Sequence, residues 1–458
     1  MLDGLSIVLF ASAAIVAVSG GFRVHAGSLR IAVTSPLPLL LWCIAITVAR
    51  HLAAPQQPLY RECPRRIAAW SRLPAIRTAA AAAIGTRPIV LFVGYLAVFM
   101  IGFANGHAPL RHFTNELLNL PVRWDAGWYL QIVTDGYQYA AGNPAVQQNI
   151  VFFPAYPMLM RVAGRLLGGE MTGYVAAGMI LSIASFFGAL VYVYAIARDR
   201  FGEDAAAGSV WLLAAYPFAI FFGALYTESL FLLAAAGAFY HFSQQQFGRA
   251  ALWGLLAGLT RLNGSLLALP LAWLAIWPTV QQGSRGSATT PHENLKALAA
   301  AAAPGAGLVI YALFIWNLTG DPLAFVSSQI AWGRKYAGLG ALVSQQYAIL
   351  ANAGISGYVG TPGYDVLNAI GALFAVATIW PVARRLGPAY GLFMVVNILP
   401  ALSSGGLLSA GRFSSVLFPA FIWLATAVPA GHRAGWIATF AAMQAFAAAL
   451  FFTWRPLF

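Results

Sequence analysis

The sequence predicts an all-α protein that crosses a membrane many times, and three observations predict it. Of its 458 residues, 60% are hydrophobic and only 9% are charged, whereas a soluble domain carries about a quarter charged residues. Apolar runs long enough for the roughly 30 Å hydrocarbon core recur from end to end. The runs are continuous rather than alternating, so they read as helices and not as barrel strands, with backbone polar groups paired inside each segment. No soluble core absorbs this much apolar surface. The whole of 1–458 is expected to form one membrane domain, with no soluble domain and no internal or inverted repeat.

The first apolar run, 5–22, carries Asp3 and no basic residue ahead of it, which argues for a retained helix over a signal peptide. With 31–49 it makes an accessory hairpin over 1–50. Runs at 88–105, 173–197, 205–224 and 226–242 follow. The run at 250–261 is too short to span: twelve residues rise about 18 Å. It is expected to pair with 264–280 around the turn "RLNG", as broken helices at membrane depth do when they line a cavity. Runs at 297–317, 366–383, 388–403, 413–430 and 434–453 bring the expectation to about 11–13 transmembrane or re-entrant helices. The polar stretch 281–296 reads as a loop, and the alanine-rich patches as helix filler.

The net charge of +13 is carried almost wholly by Arg, with Lys only at 296 and 335. Positive cytoplasmic loops account for this better than nucleic-acid binding, and no nucleic-acid partner is expected. The segment 50–87 holds Arg50, Arg61, Arg65, Arg66, Arg72, Arg77 and Arg87 against Glu62, so it is placed in the cytoplasm, with the N-terminus on the same side. Alternation then puts 106–172 and 318–365 outside as the first and second external loops. Cys43 and Cys63 fit neither a disulfide framework nor a metal site.

In the first external loop, "RWDAGWYLQIVTDGY" spans 123–137. Pro121 suits a first helical turn, and Trp124, Trp128 and Ile132 then recur at four-residue spacing as an apolar stripe. Such a helix is expected to lie in the membrane interface. Asp125 falls in its first turn, where the dipole favours an ionised carboxylate and Arg123 adds to that. Asp125 reads either as a helix-start complement or as a general base facing a substrate proton. Asp135, in "TDGY", reads as a turn residue. His107 and His112 read as loop residues. Downstream, Arg161 and Arg165 share a face of a second interfacial helix, where they meet lipid phosphate in general or the phosphate of a specific lipid substrate.

"RWDAGWYLQIVTDGY" and "FFPAYPML", followed in order by "LYTESLFLL" (225–233), "GLTRLNGSLL" (258–267), "DPLAFVSSQIAWGR" (321–334) and "GRFSSVLFPAFI" (411–422), resemble the GPI mannosyltransferase II family (phosphatidylinositol-glycan class V) and its bacterial relatives. The resemblance covers roughly 88–430. It implies a GT-C fold with the catalytic acid in a first external loop. It also implies transfer of a sugar, with inversion, from a polyprenyl-phosphate carrier to a lipid, glycan or protein acceptor on the outer face. The charge-derived topology independently puts "RWDA" on that face. The hairpin ahead of the motifs departs from the eukaryotic members. The Arg- and Ala-rich, Lys-poor composition suggests a bacterium, and hence its inner membrane, which leaves mannose open against other sugars.

Inverting transfer needs one base and cations for the departing phosphate. Asp125 is the candidate base. Arg261, in the break beside Asn263, reads as a phosphate ligand or as a snorkelling helix end. Glu228, in "YTES" with Tyr226, needs a partner near lipid: a structural ion pair, an arginine to orient, or acceptor sugar. Arg334 and Lys335, in "WGRKY", hold a lipid phosphate or touch the bilayer. Arg412 is expected to begin an outer helix, where opposing the dipole favours a ligand role. Arg123, Arg161, Trp128, Tyr226 and Asn263 complete the candidates for donor or substrate contact. Asp125 and Asp135 offer too few oxygens for a metal, so no obligatory metal or other cofactor is expected. Two further readings of the residues are a flippase for lipid-linked sugars and a non-catalytic membrane subunit of a glycosylation complex.

Overall fold

Two helices, α1 (Leu2–Ser19) and α2 (Pro36–Ala53), pack on each other at the start of the chain. The connection holds an antiparallel ribbon, β1 (Phe22–Ala26) with β2 (Leu29–Val33), so α2 begins later than the expected 31. Arg50 in α2 pairs with Asp3 in α1 at 2.7 Å and is buried there, and Cys43 Sγ donates to the Ser6 carbonyl at 3.2 Å. The acid ahead of the first apolar run thus ties the hairpin together. In this computed structural model the described residues are 2–19, 22–26, 29–33, 35–53, 68–104, 111–141, 146–282, 291–359 and 363–457. Cys63, Arg61, Arg65 and Arg66 of the expected cytoplasmic loop lie outside them, as do His107 and 283–290 of the polar stretch.

The remaining helices are α3 (Pro74–Met100), α4 (Glu116–Asn119), α5 (Ala126–Asp135), α6 (Ala155–Leu166), α7 (Met171–Ala215), α8 (Glu228–Ser243), α9 (Phe247–Thr260), α10 (Leu262–Ser265), α11 (Ala268–Gln282), α12 (Pro291–Thr319), α13 (Ala324–Ser327), α14 (Gly338–Val359), α15 (Gly363–Arg385), α16 (Pro388–Leu402), α17 (Ala410–Ser415), α18 (Phe418–Ala427) and α19 (Ala430–Phe452). Among the described residues, six helices are long and apolar enough to cross a membrane. The bent pair Pro217–Gly223 and Glu228–Ser243 makes a seventh when counted as one span, and four shorter apolar helices accompany them, so the multi-pass helical fold is borne out. The hydrophobic core runs through α3, α7, α8 and α16 to α19.

Several boundaries move for identifiable reasons. The runs 173–197 and 205–224 are two helices, as expected, which follow each other within α7 across a sharp break at Gly202, whose φ of 86° is open to glycine at no steric cost. α7 stops at Ala215 because Pro217 brings no N–H and pushes Tyr216 out of the helical region, to a ψ of 139°. Residues Pro217–Gly223 form a 3₁₀ turn, and the chain bends by 99° into α8. The short pair around "RLNG" is present as α9, α10 and α11. It closes tightly because Gly264 has no Cβ, which would stand 1.9 Å from the Ala257 carbonyl oxygen. The stretch 318–365, expected as a loop, holds α14, which breaks at Gly354 (φ 64°) and which its glycines, serine and glutamines hide from a hydropathy reading.

Three arginines used for orientation are helical rather than loop residues: Arg50 in α2, and Arg77 and Arg87 in α3, which begins at Pro74 and not at 88. Arg87 is buried and donates to the carbonyls of Ala219 and, at 2.8 Å, Ala214. Gln444 of α19 donates to Ala214 at 3.1 Å and Tyr216 at 2.7 Å. Together they satisfy the carbonyls freed where α7 ends, next to a partial negative charge that favours a cation. Arg87→Ala is expected to cost about 3 kcal/mol, because charge-assisted bonds are lost and buried carbonyls stay unpaired. A melting temperature in detergent equal to wild type would remove Arg87 from this role.

Candidate active site

The 99° bend delivers Tyr226 and Glu228 to one place. Glu228 opens α8, where the helix dipole favours a carboxylate. Arg261 lies in the break between α9 and α10 with extended backbone, φ −156° and ψ 153°. Arg412 occupies the last turn of the six-residue α17, a position at which the dipole favours a cation. Arg412 is also the third residue of α17, near the start of a helix as expected, and Val416 and Leu417 separate α17 from α18. Asp125 is the N-cap residue of α5, which begins at Ala126 and not at Pro121.

These side chains meet. Arg412 Nη1 donates to Asp125 Oδ2 at 2.6 Å, and its Nε donates to Glu228 Oε1. Arg261 Nη1 reaches the same Glu228 oxygen at 2.9 Å. Tyr226 Oη accepts the Asp125 backbone N–H and donates to the Arg123 carbonyl, both at 3.1 Å. The Arg412 guanidinium also lies 4.6 Å from the Tyr226 ring centroid. Arg334, from the stretch between α13 and α14, shares the Phe413 ring with Arg261, at 5.5 and 5.0 Å. Enclosure, with Arg412 close by, pushes the Arg334 guanidinium down to about 10, which still leaves it cationic at neutral pH. Among the described residues its guanidinium has no hydrogen bond and no acid partner.

The two acids differ in exposure and in pairing. The Asp125 side chain keeps 18% exposure and engages protein through Oδ2, while Glu228 has none. Glu228 Oε1 is shared by two guanidiniums and its Oε2 has no partner. Glu228 therefore orients arginines, the ion-pair reading of its sequence position, and Asp125 faces the accessible side.

Trp124 carries a strained backbone, φ 55°, which costs about 1–3 kcal/mol for a bulky side chain. Its indole N–H bonds the Phe451 carbonyl at 3.0 Å and its ring lies 4.8 Å from Trp454, contacts that hold the turn ahead of Asp125. The Trp124–Trp128–Ile132 stripe thus packs on protein: Ile132 is buried, and Trp128 meets Phe152 and Trp332. The amphipathic helix that turns apolar side chains outward is α6, through Leu159, Val162 and Leu166.

Other candidates stand apart. Arg123 is fully buried, paired with Glu116 and donating to the Phe452 and Asn119 carbonyls at 3.1 and 3.0 Å, so it anchors the loop. Asn263 donates to Asn397 at 2.7 Å and fastens α10 to α16. Arg161 lies on α6 with a buried Nε that has no partner. Lys335 is exposed. Asp135 ends α5 beside Gly136, as a turn residue should. Tyr129, absent from the sequence candidates, is buried against Thr227 at 3.4 Å; its signal was the shared face with Asp125. Among the described residues, no three His, Cys, Asp or Glu side chains gather to hold a metal ion.

No curated protein matches the chain significantly. Among solved structures it resembles the Archaeoglobus fulgidus oligosaccharyltransferase solved with Zn and sulfate, at 14% identity and TM-score 0.37, covering 81% of this chain and 53% of that one. It also resembles the oligosaccharyltransferase AglB of the same organism, solved with an inhibitory peptide and a dolichol-phosphate, at 14% identity and TM-score 0.35, covering 80% and 55%. The chain spans about half the length of these structures. The model of the family described as mannosyltransferase (PIG-V) matches residues 107–275, a span that holds Asp125, Tyr226, Glu228 and Arg261. Over that span the resemblance drawn from the motifs is borne out: the segment that carries these residues is similar to the mannosyltransferases (PIG-V).

Proposed function

We propose that the chain is an inverting glycosyltransferase. It moves a sugar, mannose or a close relative, from a polyprenyl-phosphate carrier to a glycan, lipid or protein acceptor. The work is done on the periplasmic face of a bacterial inner membrane, with the N-terminus in the cytoplasm. One observation carries this reading: the cluster holds three cations, Arg261, Arg334 and Arg412, against two acids, Asp125 and Glu228, a net charge of 3 − 2 = +1. An uncompensated cation in an enclosed site costs several kcal/mol, so an anion belongs there. A lipid-borne phosphate, arriving from the bilayer beside α6, suits it.

The chemistry then follows from charge. The acceptor hydroxyl loses its proton to the Asp125 carboxylate through Oδ1. The hydroxyl oxygen bonds to the anomeric carbon as the bond from that carbon to the phosphate oxygen breaks on the opposite face. The phosphate leaves with the electron pair, and Arg334 and Arg412 stabilise its growing charge. Arg412 also keeps the Asp125 carboxylate oriented, and no step requires a metal.

Arg334→Ala is expected to raise the apparent KM for a polyprenyl-phosphate mannose donor about 10- to 100-fold, the size of one charge-assisted hydrogen bond. Steady-state transfer by the full chain in proteoliposomes measures it. An unchanged donor KM would take Arg334 out of the phosphate site. Translocation of the donor without any transfer would replace the enzyme reading with a flippase.

A further inference from the structure

A cavity of about 300 Å³ opens between α5 and the residues 138–140 and 146–149, and its chemistry differs from that of the arginine cluster. Among the described residues no charged side chain lines it. Trp128 and Tyr139 supply aromatic surface, and Gln131, Gln138 and Gln147 supply amides. Among the described residues the side chains of Gln131 and Gln138, the Tyr139 hydroxyl and the Trp128 indole N–H have no hydrogen-bond partner, so they are free for a ligand.

The wall is built rather than loose. Gln148, buried, accepts the Ala140 N–H at 2.9 Å and donates to the Ala140 carbonyl at 3.2 Å. Asn149, also buried, accepts the Gln138 N–H at 3.0 Å and donates to the Gly136 carbonyl at 3.1 Å. Two amides thus fix the backbone that displays the free ones. Amides donate and accept at once, as sugar hydroxyls do. Aromatic rings cover the C–H face of a pyranose. With no charge to repel or attract, the set suits an uncharged, polyhydroxylated ring.

Its place on α5 is informative. Trp128 and Gln131 follow Asp125 by three and six residues on one helix, about 4.5 and 9 Å along the axis. The cavity therefore begins about one sugar width from the base. The volume is at the lower end of the roughly 300–1,000 Å³ that small-ligand sites occupy.

We propose that this cavity is the acceptor subsite, and that the acceptor presents an uncharged pyranose whose hydroxyl faces Asp125. The assignment rests on the transferase reading above. The same chemistry would also take the donor's own sugar, and the experiment separates the two sources.

The test is a titration of the full chain in lipid nanodiscs with methyl α-D-mannopyranoside, read by saturation-transfer NMR. Wild type is expected to bind, and binding is expected to persist when polyprenyl-phosphate mannose saturates the arginine cluster. Gln131→Ala combined with Gln138→Ala should weaken it at least tenfold, and Tyr139→Phe, which removes one hydroxyl and leaves the fold undisturbed, by a smaller factor. Failure of the probe to bind, or equal binding by the variants with unchanged melting temperature, overturns the proposal. Loss of binding once the donor is present overturns the acceptor assignment. Because the titration reads no chemistry, it is decided separately from whether Asp125 acts as a base.

Discussion

Asp125→Asn is expected to lower kcat for sugar transfer about 10²- to 10⁴-fold while the protein stays folded. The amide matches the carboxylate in shape, and its oxygen still accepts from Arg412, which approaches Oδ2 at 2.6 Å. What it loses is the ability to take a proton from the acceptor hydroxyl. The partly exposed side chain limits the cost of losing one charge, because solvent screens the pair. Initial rates with a polyprenyl-phosphate sugar, beside a melting curve, measure both halves of the expectation. Near-wild-type transfer by the amide would assign the base elsewhere.

Glu228→Ala is expected to do the opposite kind of damage. Glu228 is fully buried and holds Arg261 and Arg412 through one oxygen. Removing it leaves Arg261 unpaired and Arg412 with Asp125 alone, and raises the cluster from +1 to +2, three arginines against one acid. Breaking a buried ion pair from one side costs about 3–5 kcal/mol, so the variant should melt well below wild type and lose transfer as well. The contrast carries the claim: Asp125→Asn loses rate at wild-type stability, and Glu228→Ala loses both. A Glu228→Ala protein that melts with wild type would mean that the arginines are held by something else.

Hydropathy alone revealed the membrane helices, because a spanning segment must be both apolar and self-paired along its whole length. The ordered motifs gave the site residues, and the break at "RLNG" was legible because twelve residues cannot span a bilayer. The missing parts share a cause. Arg412 and Asp125 are 287 positions apart, and Arg412 and Glu228 184, so their pairing belongs to the tertiary fold and leaves no local periodicity. Arg87 counted as a loop charge because an arginine that satisfies broken-helix carbonyls looks, in sequence, like one that marks topology. The aromatics around Asp125 suggested a lipid-facing anchor, yet their partners are Phe152, Trp332 and Trp454. α14 was hidden by its glycines and amides. The bend at Pro217, by contrast, had a plain signal in "YPF" that a run-length reading passes over.

In the proposed reaction one carboxylate takes the acceptor proton while phosphate departs from the opposite face. Stereochemistry tests it most directly. Wild-type protein in proteoliposomes would receive a polyprenyl-phosphate mannose of known anomeric configuration with a sugar acceptor, and the new linkage would be assigned by NMR. A product of inverted configuration is expected, formed by wild type and nearly absent with Asp125→Asn. A product of retained configuration would require a covalent intermediate on a second carboxylate and would contradict it.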